Sequence, residues 1–538
     1  MGVINMTSLR SAFKQKSIKS WQDRIAEATV ILMLCVQPLY FNQEGYRGLT
    51  GHKYNFFTLC MSIILIAVIL VFLIKLIGGH KLVSLKNLSI ADWAVFSFAI
   101  VTLVSALLSP FRDAVDVWNG IPERHDGAIT QLFYVLIFLI VAHWYKPRIR
   151  DFGIFGISAI CIGLIGVFQF YGMDFFQLWP NEEFLSDGIT PNIYHVENFF
   201  NIYFRSTLGN INMVATYVCI AILLCGFLFI KMNPTWRVWR YIWLGGSASC
   251  FWLMIIGGSE SGMAGVLVTV VLAIPFIVQK RERIGRFLIL GASWLGVYTL
   301  QKLLYDVRIL EAETRIGLYM AITAVLLAGG LALTLLKKKI DEVEIQKLAK
   351  WKLGVVLMVA VIATGFAGVE VLGNQLRETG IQKRNSISEA REILHGRIED
   401  SFGNHRVYIW RNALKAFPSD NPVIGSGPDT FWQVFPNQAE TIELYAIRFD
   451  KAHNEYLQIL ICQGIFGLLF YLVFLGYLFI MTIPKAFKNP LLMAVLAGFT
   501  GYSVQAFFNI SLPIASQILW VMAGMLACFM RLDKTRKT

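Results

Sequence analysis

Long apolar runs separated by short polar connections recur along almost the whole chain. About fourteen of these runs approach the ~20 residues that a helix needs to cross a bilayer. They lie roughly at 25–41, 54–78, 91–110, 127–145, 152–172, 208–230, 240–257, 262–279, 286–304, 316–336, 353–372, 455–483, 490–509 and 512–530. The count falls to about twelve if 286–304 and 316–336 form a re-entrant or surface hairpin. The pattern therefore predicts an all-α, polytopic membrane helical bundle.

The composition agrees with this pattern. Of the 538 residues, 56% are hydrophobic and 15% are charged, which is more apolar surface than a soluble protein can readily hide. All eight cysteines lie within the predicted spans, and no C-x-x-C pair occurs. The cysteines therefore indicate neither a disulfide framework nor a metal site.

The basic residues indicate the orientation of the bundle. Lys and Arg concentrate in the N-terminal tail, in every second connection and at the C-terminus, whereas the alternate connections are balanced or acidic. The basic residues are Arg10, Lys14, Lys16, Lys19, Arg24, Lys81, Lys86, Lys146, Arg148, Arg150, Lys231, Arg237, Arg240, Lys280, Arg281, Arg283, Arg286, Lys337, Lys338, Lys339, Lys485, Lys488, Arg531, Lys534, Arg536 and Lys537. Because short basic connections stay in the cytoplasm, the net charge of +13 is a topology signal, with contact to anionic lipid as its second use. Nucleic acid is not an expected partner.

This orientation divides the chain into five parts. We predict a cytoplasmic tail at 1–24, a first transmembrane part at 25–372, a large extracytoplasmic loop at 373–452, a last transmembrane part at 453–530 and a cytoplasmic tail at 531–538. The loop carries ten basic and ten acidic residues and helix-like stretches, so we expect a neutral, helical segment on the outer face.

His453 and Asn454 stand at the mouth of the apolar run that begins at 455. Helix entry alone explains both residues, because Asn is a good N-cap and a His at the membrane surface can simply be hydrated. Alternatively, a neutral imidazole with an ordinary pKa near ~6.5 is a natural general base at an outward-facing site. Taken alone, the pair leaves both interpretations open.

Residues 403–432 add further candidates from the same predicted loop. Arg406 precedes a helix-like stretch, Arg411 lies within it, and Gly425 and Gly427 provide for a tight turn. For most loop arginines a solvated salt bridge is the simpler explanation. We nevertheless include these four residues among the candidate site residues.

Two other outward segments contribute candidates. Arg205 stands at the outer end of the 208–230 run and Asn212 lies inside it. An amide in an apolar segment is costly unless it is buried against partners, so this segment is expected to face the bundle or a cavity. Trp118 and Arg124 pair a hydrophobic anchor with a cation, which suits a lipid-headgroup or sugar contact and is also ordinary for a membrane-interface loop.

Taken in order, these motifs resemble the family of O-antigen ligases and Wzy-type O-antigen polymerases. The motifs are W-x-G-x-x-x-R from Trp118, R-x-x-x-G-N-x-N from Arg205, R-x-x-x-W from Arg406, P-x-x-G-x-G-x-x-x-F from Pro422, and H-N-x-Y-L-Q-x-x-x-x-x-G-x-x-G-L from His453. The resemblance is most specific across residues 403–470.

The resemblance implies a GT-C-like fold and a glycosyltransferase of the bacterial cytoplasmic (inner) membrane, with both termini cytoplasmic and the active site outside. Such enzymes transfer a glycan from undecaprenyl pyrophosphate to an acceptor hydroxyl on a glycan, lipid or protein, with inversion and without a cofactor. By this resemblance His453 corresponds to the general base, and Arg406 and Arg205 to pyrophosphate ligands. Arg124, Asn212, Asn454, Arg411, Trp118, Gly425 and Gly427 are the remaining candidate substrate contacts.

One position departs from the family pattern. Many relatives carry a Ser-Arg pair in the turn between two mid-chain spans, where this chain has "GGSESG" with Glu260 in place of the arginine. A carboxylate cannot hold a pyrophosphate, so either another cation such as Arg124 substitutes or the donor is held differently.

Two alternatives remain for the function. A ligase and a polymerase differ in acceptor and not in chemistry, so the sequence does not separate them. A lipid-linked oligosaccharide flippase is the alternative from another class, although no convincing internal repeat is present. No D-x-D pair of metal-binding carboxylates occurs, so we expect metal-independent transfer.

Overall fold

The computed structural model describes residues 6–46, 48–80, 88–178, 205–230, 237–309, 315–335, 347–378, 386–417, 421–436 and 449–535. Within these ranges the chain is helical and contains no strand. The principal helices are α1 (Met6–Ile31), α2 (Leu49–Ile77), α3 (Ile90–Leu107), α4 (Ala128–Trp144), α5 (Ile149–Phe170), α6 (Ile211–Ile230), α7 (Arg237–Gly257), α8 (Glu260–Leu272), α9 (Arg281–Ile309), α10 (Ile316–Leu335), α11 (Lys347–Glu378), α12 (Ser386–Leu394), α13 (Phe402–Ala416), α14 (Glu455–Ala486), α15 (Pro490–Gln505) and α16 (Gln517–Thr535). A π-helical turn, Leu32–Val36, and a short segment, Gln37–Leu39, continue α1.

Each predicted apolar run coincides with a helix, from α1 to α11 and from α14 to α16. Among the described residues, nine helices are long and apolar enough to cross a membrane, and α4 and α8 are shorter apolar helices. The helices α9 and α10 are continuous, pack along each other, and both belong to the nine, which favours two spans over a re-entrant hairpin. The predicted all-α polytopic membrane fold is confirmed.

The centre of the bundle is α6. Its 18-residue apolar window is wholly buried, and it packs against α7, α15 and α8. By contrast, the apolar window of α11 is 0% buried and that of α10 is 6% buried. Because a helix that is apolar all round must be covered by protein or by lipid, α6 forms the protein core and these two helices have apolar surface for lipid.

Helix α14 is interrupted at Gly464, which has φ 71° and ψ −171°. The loop from Pro422 to Gly427 fills this break, because the N–H groups of Ser426 and Gly427 donate to the carbonyls of Ile461 (3.1 Å) and Cys462 (2.9 Å). A broken helix at membrane depth is tolerated where protein satisfies the freed backbone groups. Residues 422–431, the P-x-x-G-x-G-x-x-x-F motif, form what we call the motif loop, and its first part is bonded into α14.

Some predicted features lie outside the described residues. These are the basic residues Lys81, Lys86, Lys231, Lys337, Lys338, Lys339, Arg536 and Lys537, and the segments 379–385, 418–420 and 437–448 of the predicted outer loop. The orientation of the chain across the membrane remains a prediction.

Candidate functional site

His453 lies in the turn immediately before α14 and has a left-handed backbone, with φ 48°. Its chain neighbours are held on both sides. The carbonyl of Ala452 accepts a hydrogen bond from the Trp410 indole (3.0 Å), and the Ala452 N–H donates to Gln458 Oε1 (2.9 Å). Asn454 Oδ1 accepts from the Leu457 N–H (3.0 Å), so Asn454 is the N-cap that the sequence suggested.

The side chain of His453 is half-buried among charged groups. Burial lowers the pKa of His453 to about 4, and the positive charge of Arg406 is the next cause. Arg124 and Lys451 act in the same direction, while Asp450 acts against them. The imidazole is therefore neutral near pH 7 and can accept a proton.

Arg406 reaches this site from α13. It follows three residues with left-handed backbone, Gly403 to His405, and the N–H of Gly403 donates to Glu389 Oε2 of α12 (3.0 Å). Burial lowers the pKa of Arg406, and the charge of Glu260 partly offsets this effect. An arginine remains charged under these conditions, so Arg406 is a fixed cation near His453.

Glu260, the residue that departs from the family pattern, thus lies close enough to influence Arg406. It begins α8 and accepts a hydrogen bond from the Ser386 hydroxyl at the start of α12. Its carboxylate therefore ties α12 to α8. At the position where many relatives carry an arginine, this chain therefore has a carboxylate whose charge acts on Arg406.

Arg124 supplies a second cation beside His453. Its Nε donates to Asp450 Oδ2 at 2.8 Å, which joins the 117–127 loop to the residues before α14. Trp118 in the same loop has 37% of its surface exposed. The structure places Arg124 close enough to act on His453, while substrate contact by Arg124 and Trp118 stays a prediction.

Gly425 and Gly427 are required by packing. A Cβ on Gly425 would lie 2.4 Å from the Cys462 carbonyl carbon, and one on Gly427 would lie 2.5 Å from Ser109 Oγ. Both also have positive φ, 75° and 119°. These glycines let the motif loop enter the break in α14, and a direct contact with substrate remains a prediction.

Arg205 and Arg411 have other surroundings. The charge of Arg205 acts on Tyr46, whose hydroxyl donates to Gln169 Oε1 (3.0 Å). Arg411 pairs with Asp400 at the exposed surface (2.6 Å). Among the described residues, neither is one of the main charges that act on His453. Their binding roles stay predictions.

Asn212 is half-buried in the first turn of α6, and a role for its side chain in substrate binding stays a prediction. Its carbonyl accepts a hydrogen bond from Asn509 Nδ2 (2.9 Å). Phe507 and Phe508, which precede Asn509, contact the Trp410 ring, and the Trp410 indole donates to the Ala452 carbonyl. Asn212 is thereby linked to the His453 turn through packing, without a described direct contact.

The sequence did not single out four buried charged residues behind His453. Lys451 pairs with Asp126 and Asp429, and Glu455 accepts hydrogen bonds from Tyr471 (2.6 Å) and Tyr502 (2.7 Å). Asp429 and Glu455 lie inside the motifs that begin at Pro422 and His453, and Asp126 and Lys451 each lie two residues outside a quoted motif. That placement was the available signal, but a charged residue in a polar loop looks the same in sequence whether it is solvated or buried.

A groove of about 910 Å³ opens beside Glu260. It lies between α7, α8 and α9, and Ser386 and Ile387 of α12 line one end. Its wall is mostly apolar, with Leu267 61% exposed and Gly291 facing open space. A groove of this kind, with polar groups at one end, suits an amphiphile.

Comparison with known proteins agrees with the motif analysis. Residues 309–472 match a family model described as O-antigen ligase. The match includes Arg406 and His453, covers less than a third of the chain, and leaves out Arg124 and Arg205. A search of curated proteins found no match. The resemblance stated from the motifs is confirmed.

Proposed function

We propose that this protein transfers a glycan from undecaprenyl pyrophosphate to an acceptor hydroxyl, because residues 309–472 match a family model described as O-antigen ligase. The observation that carries the proposal is a neutral, half-buried His453 flanked by the cations Arg406 and Arg124. A base and fixed positive charge are what a displacement at an anomeric carbon requires.

In the proposed reaction the His453 imidazole accepts the proton of the acceptor hydroxyl. The hydroxyl oxygen forms a bond to the anomeric carbon from the face opposite the carrier, and the bond to the pyrophosphate oxygen breaks. The pyrophosphate leaves with the electron pair, so one displacement inverts the anomeric configuration. Arg406 stabilises the departing charge through its planar fork of donors.

In the free enzyme the charge of Glu260 orients Arg406. When the donor binds, Arg406 turns to the pyrophosphate instead. Arg124 supplies further positive charge, although its bond to Asp450 makes it a shared cation. The arginines together provide the charge that a metal ion would otherwise supply, so no step of the proposal uses a metal.

The polyprenyl chain of the donor occupies the apolar groove between α7, α8 and α9. Glu260 lines this groove and its charge acts on Arg406, which in turn acts on His453. A polyprenyl chain in the groove would therefore place its pyrophosphate near His453. Ser386 and Ile387 of α12, a helix of the predicted outer loop, line this groove, and this contact supports an enzyme over a flippase.

Filling the groove should weaken donor binding. Gly291→Leu adds a side chain where a Cβ meets no atom within 4 Å, so the change occupies the groove without a clash in the helix. We expect undecaprenyl pyrophosphate to bind the purified variant about tenfold or more weakly, since a displaced apolar chain loses ~0.8 kcal/mol per CH₂.

The matched control is Gly317→Leu in α10, another helical glycine whose Cβ would meet open space. It should bind the same lipid with wild-type affinity. Equal affinities for all three proteins would show that the polyprenyl chain lies elsewhere.

Transfer should persist to unusually acidic pH. Burial and Arg406 lower the pKa of His453 to about 4, so the basic form is present above that pH. The value of kcat/KM, which reports the free enzyme, should fall as pH drops through about 4 and not through the ~6.5 of an ordinary histidine. In Arg406→Gln the fall of the residual kcat/KM should occur at a higher pH, because the charge that lowers the pKa of His453 is removed. An acid limb at the ordinary value in the wild-type enzyme would contradict this assignment.

Mass spectrometry of lipid-linked and polymeric glycans tests the function itself. Cells lacking the gene should accumulate the lipid-linked donor and lose its product. Accumulated lipid-linked polymer would identify a ligase, and accumulated single repeat units a polymerase. Unchanged pools of both lipid-linked and transferred glycan would overturn the proposal.

A further inference from the structure

A buried ionic cluster joins the three segments that surround His453. Lys451 is 1% exposed, and its Nζ lies 3.0 Å from Asp126 Oδ2 and 2.6 Å from Asp429 Oδ1. Asp429 Oδ2 also accepts from the N–H groups of Ile121 (2.9 Å) and Asp126 (3.3 Å). One lysine therefore ties the 117–127 loop and the motif loop to the residues before α14.

The electrostatics of the cluster keep Lys451 charged. Burial acts to lower its pKa, but the carboxylates of Asp126 and Asp429 hold the pKa above the usual value. Burial in turn raises the pKa of Asp126. Removing one member of such a cluster leaves a buried charge without compensation, whereas replacing all members by neutral groups avoids that cost.

The cluster acts on the conformation of His453. Lys451 precedes His453 by two residues, and the intervening Ala452 is held through both its N–H and its carbonyl. His453 has φ 48°, a left-handed conformation that a non-glycine residue keeps only where its surroundings impose it. The bonds of Lys451 and Ala452, with the cap formed by Asn454, impose it here.

We propose that Lys451, anchored by Asp126 and Asp429, is a positioning residue of the transfer reaction: it holds the left-handed turn that presents the His453 imidazole to the acceptor. The proposal rests on the proposed role of His453 as general base. Lys451 itself touches neither substrate nor reacting atoms.

The test uses a neutral variant that is expected to fold. Lys451→Met, Asp126→Asn and Asp429→Asn are combined, because the asparagines retain acceptors and neither carboxylate that pairs with Lys451 is left charged, while Glu455 keeps its hydrogen bonds from Tyr471 and Tyr502. The full-length protein is made in cells lacking the gene, whose membranes hold donor and acceptor, and transfer is followed by mass spectrometry. We expect an unfolding midpoint near that of the wild type and a transfer rate about 10²-fold lower, the scale of a misplaced catalytic group.

A second measurement reports on His453 without turnover. Diethyl pyrocarbonate modifies neutral, accessible imidazoles, and mass spectrometry resolves the rate at each histidine. The rate at His453 should change severalfold in the neutral variant, with His80 as the internal reference. Arg283→Met is the matched control, because it removes a buried cation of α9 that bonds to the Phe276 carbonyl (2.9 Å) and should leave the His453 rate unchanged.

Wild-type transfer by the neutral variant would overturn the proposal. A loss of transfer with an unaltered modification rate at His453 would also overturn it, because Lys451 would then act elsewhere. If His453→Ala retains transfer, the proposed function loses its base. The modification rate still shows in that case whether the cluster holds the imidazole.

Discussion

His453→Ala should lower the rate of glycan transfer by about 10²–10⁴-fold, the contribution expected of a positioned general base. The variant should still fold and bind undecaprenyl pyrophosphate, because the imidazole acts on the acceptor and not on the donor. The measurement compares single-turnover transfer with lipid binding in the same purified preparations. His395→Ala is the control, since that imidazole pairs with Glu370 at the exposed surface (2.9 Å).

Two results would contradict the assignment. Wild-type turnover in His453→Ala would remove His453 from the chemistry. Loss of lipid binding together with transfer would place the imidazole against the pyrophosphate. The first of these results is the more decisive, because it would leave the half-buried His453 and its cationic neighbours without a role in the reaction.

Arg406→Lys should be nearly as damaging as Arg406→Ala. A guanidinium binds two phosphate oxygens with a planar fork, whereas an ammonium is a point charge with different reach. We expect both variants to lose about 10²-fold or more in transfer, the scale seen when a donor that stabilises developing charge is removed. Donor binding should weaken in both.

Arg397→Lys provides the matched control, because Arg397 lies on an exposed part of the same predicted loop and pairs with Glu392. It should transfer at the wild-type rate. If Arg406→Lys also keeps most of its activity, Arg406 contributes only a general positive field, and the orienting role of Glu260 loses its basis.

The helical bundle could be predicted from the sequence because each crossing helix is specified locally. An apolar run long enough to span the hydrocarbon core must satisfy its own backbone, which a helix does within one segment. The same local logic identified Asn454 as a cap, since an asparagine Oδ1 reaches the N–H groups of the next turn. Motif order added Arg406 and His453, which the family match includes.

The break in α14 could not be predicted in this way. The run that contains Gly464 reads as one uninterrupted apolar helix, and a single glycine is compatible with either structure. The backbone of the Pro422–Gly427 loop decides the outcome, because it satisfies the groups that the break sets free.

The sequence by itself determined the helices, the cap before α14 and the order of the motifs, since these depend on neighbouring residues. Only the tertiary structure decided that Glu260 influences Arg406 and that Lys451 is buried between two carboxylates. Lys451 and Asp126 are 325 positions apart, and the loop that holds Lys451 has as many acidic as basic residues. A charge of this kind is costly in isolation and acceptable once folding brings its partners to it, so its burial is a property of the assembled loops.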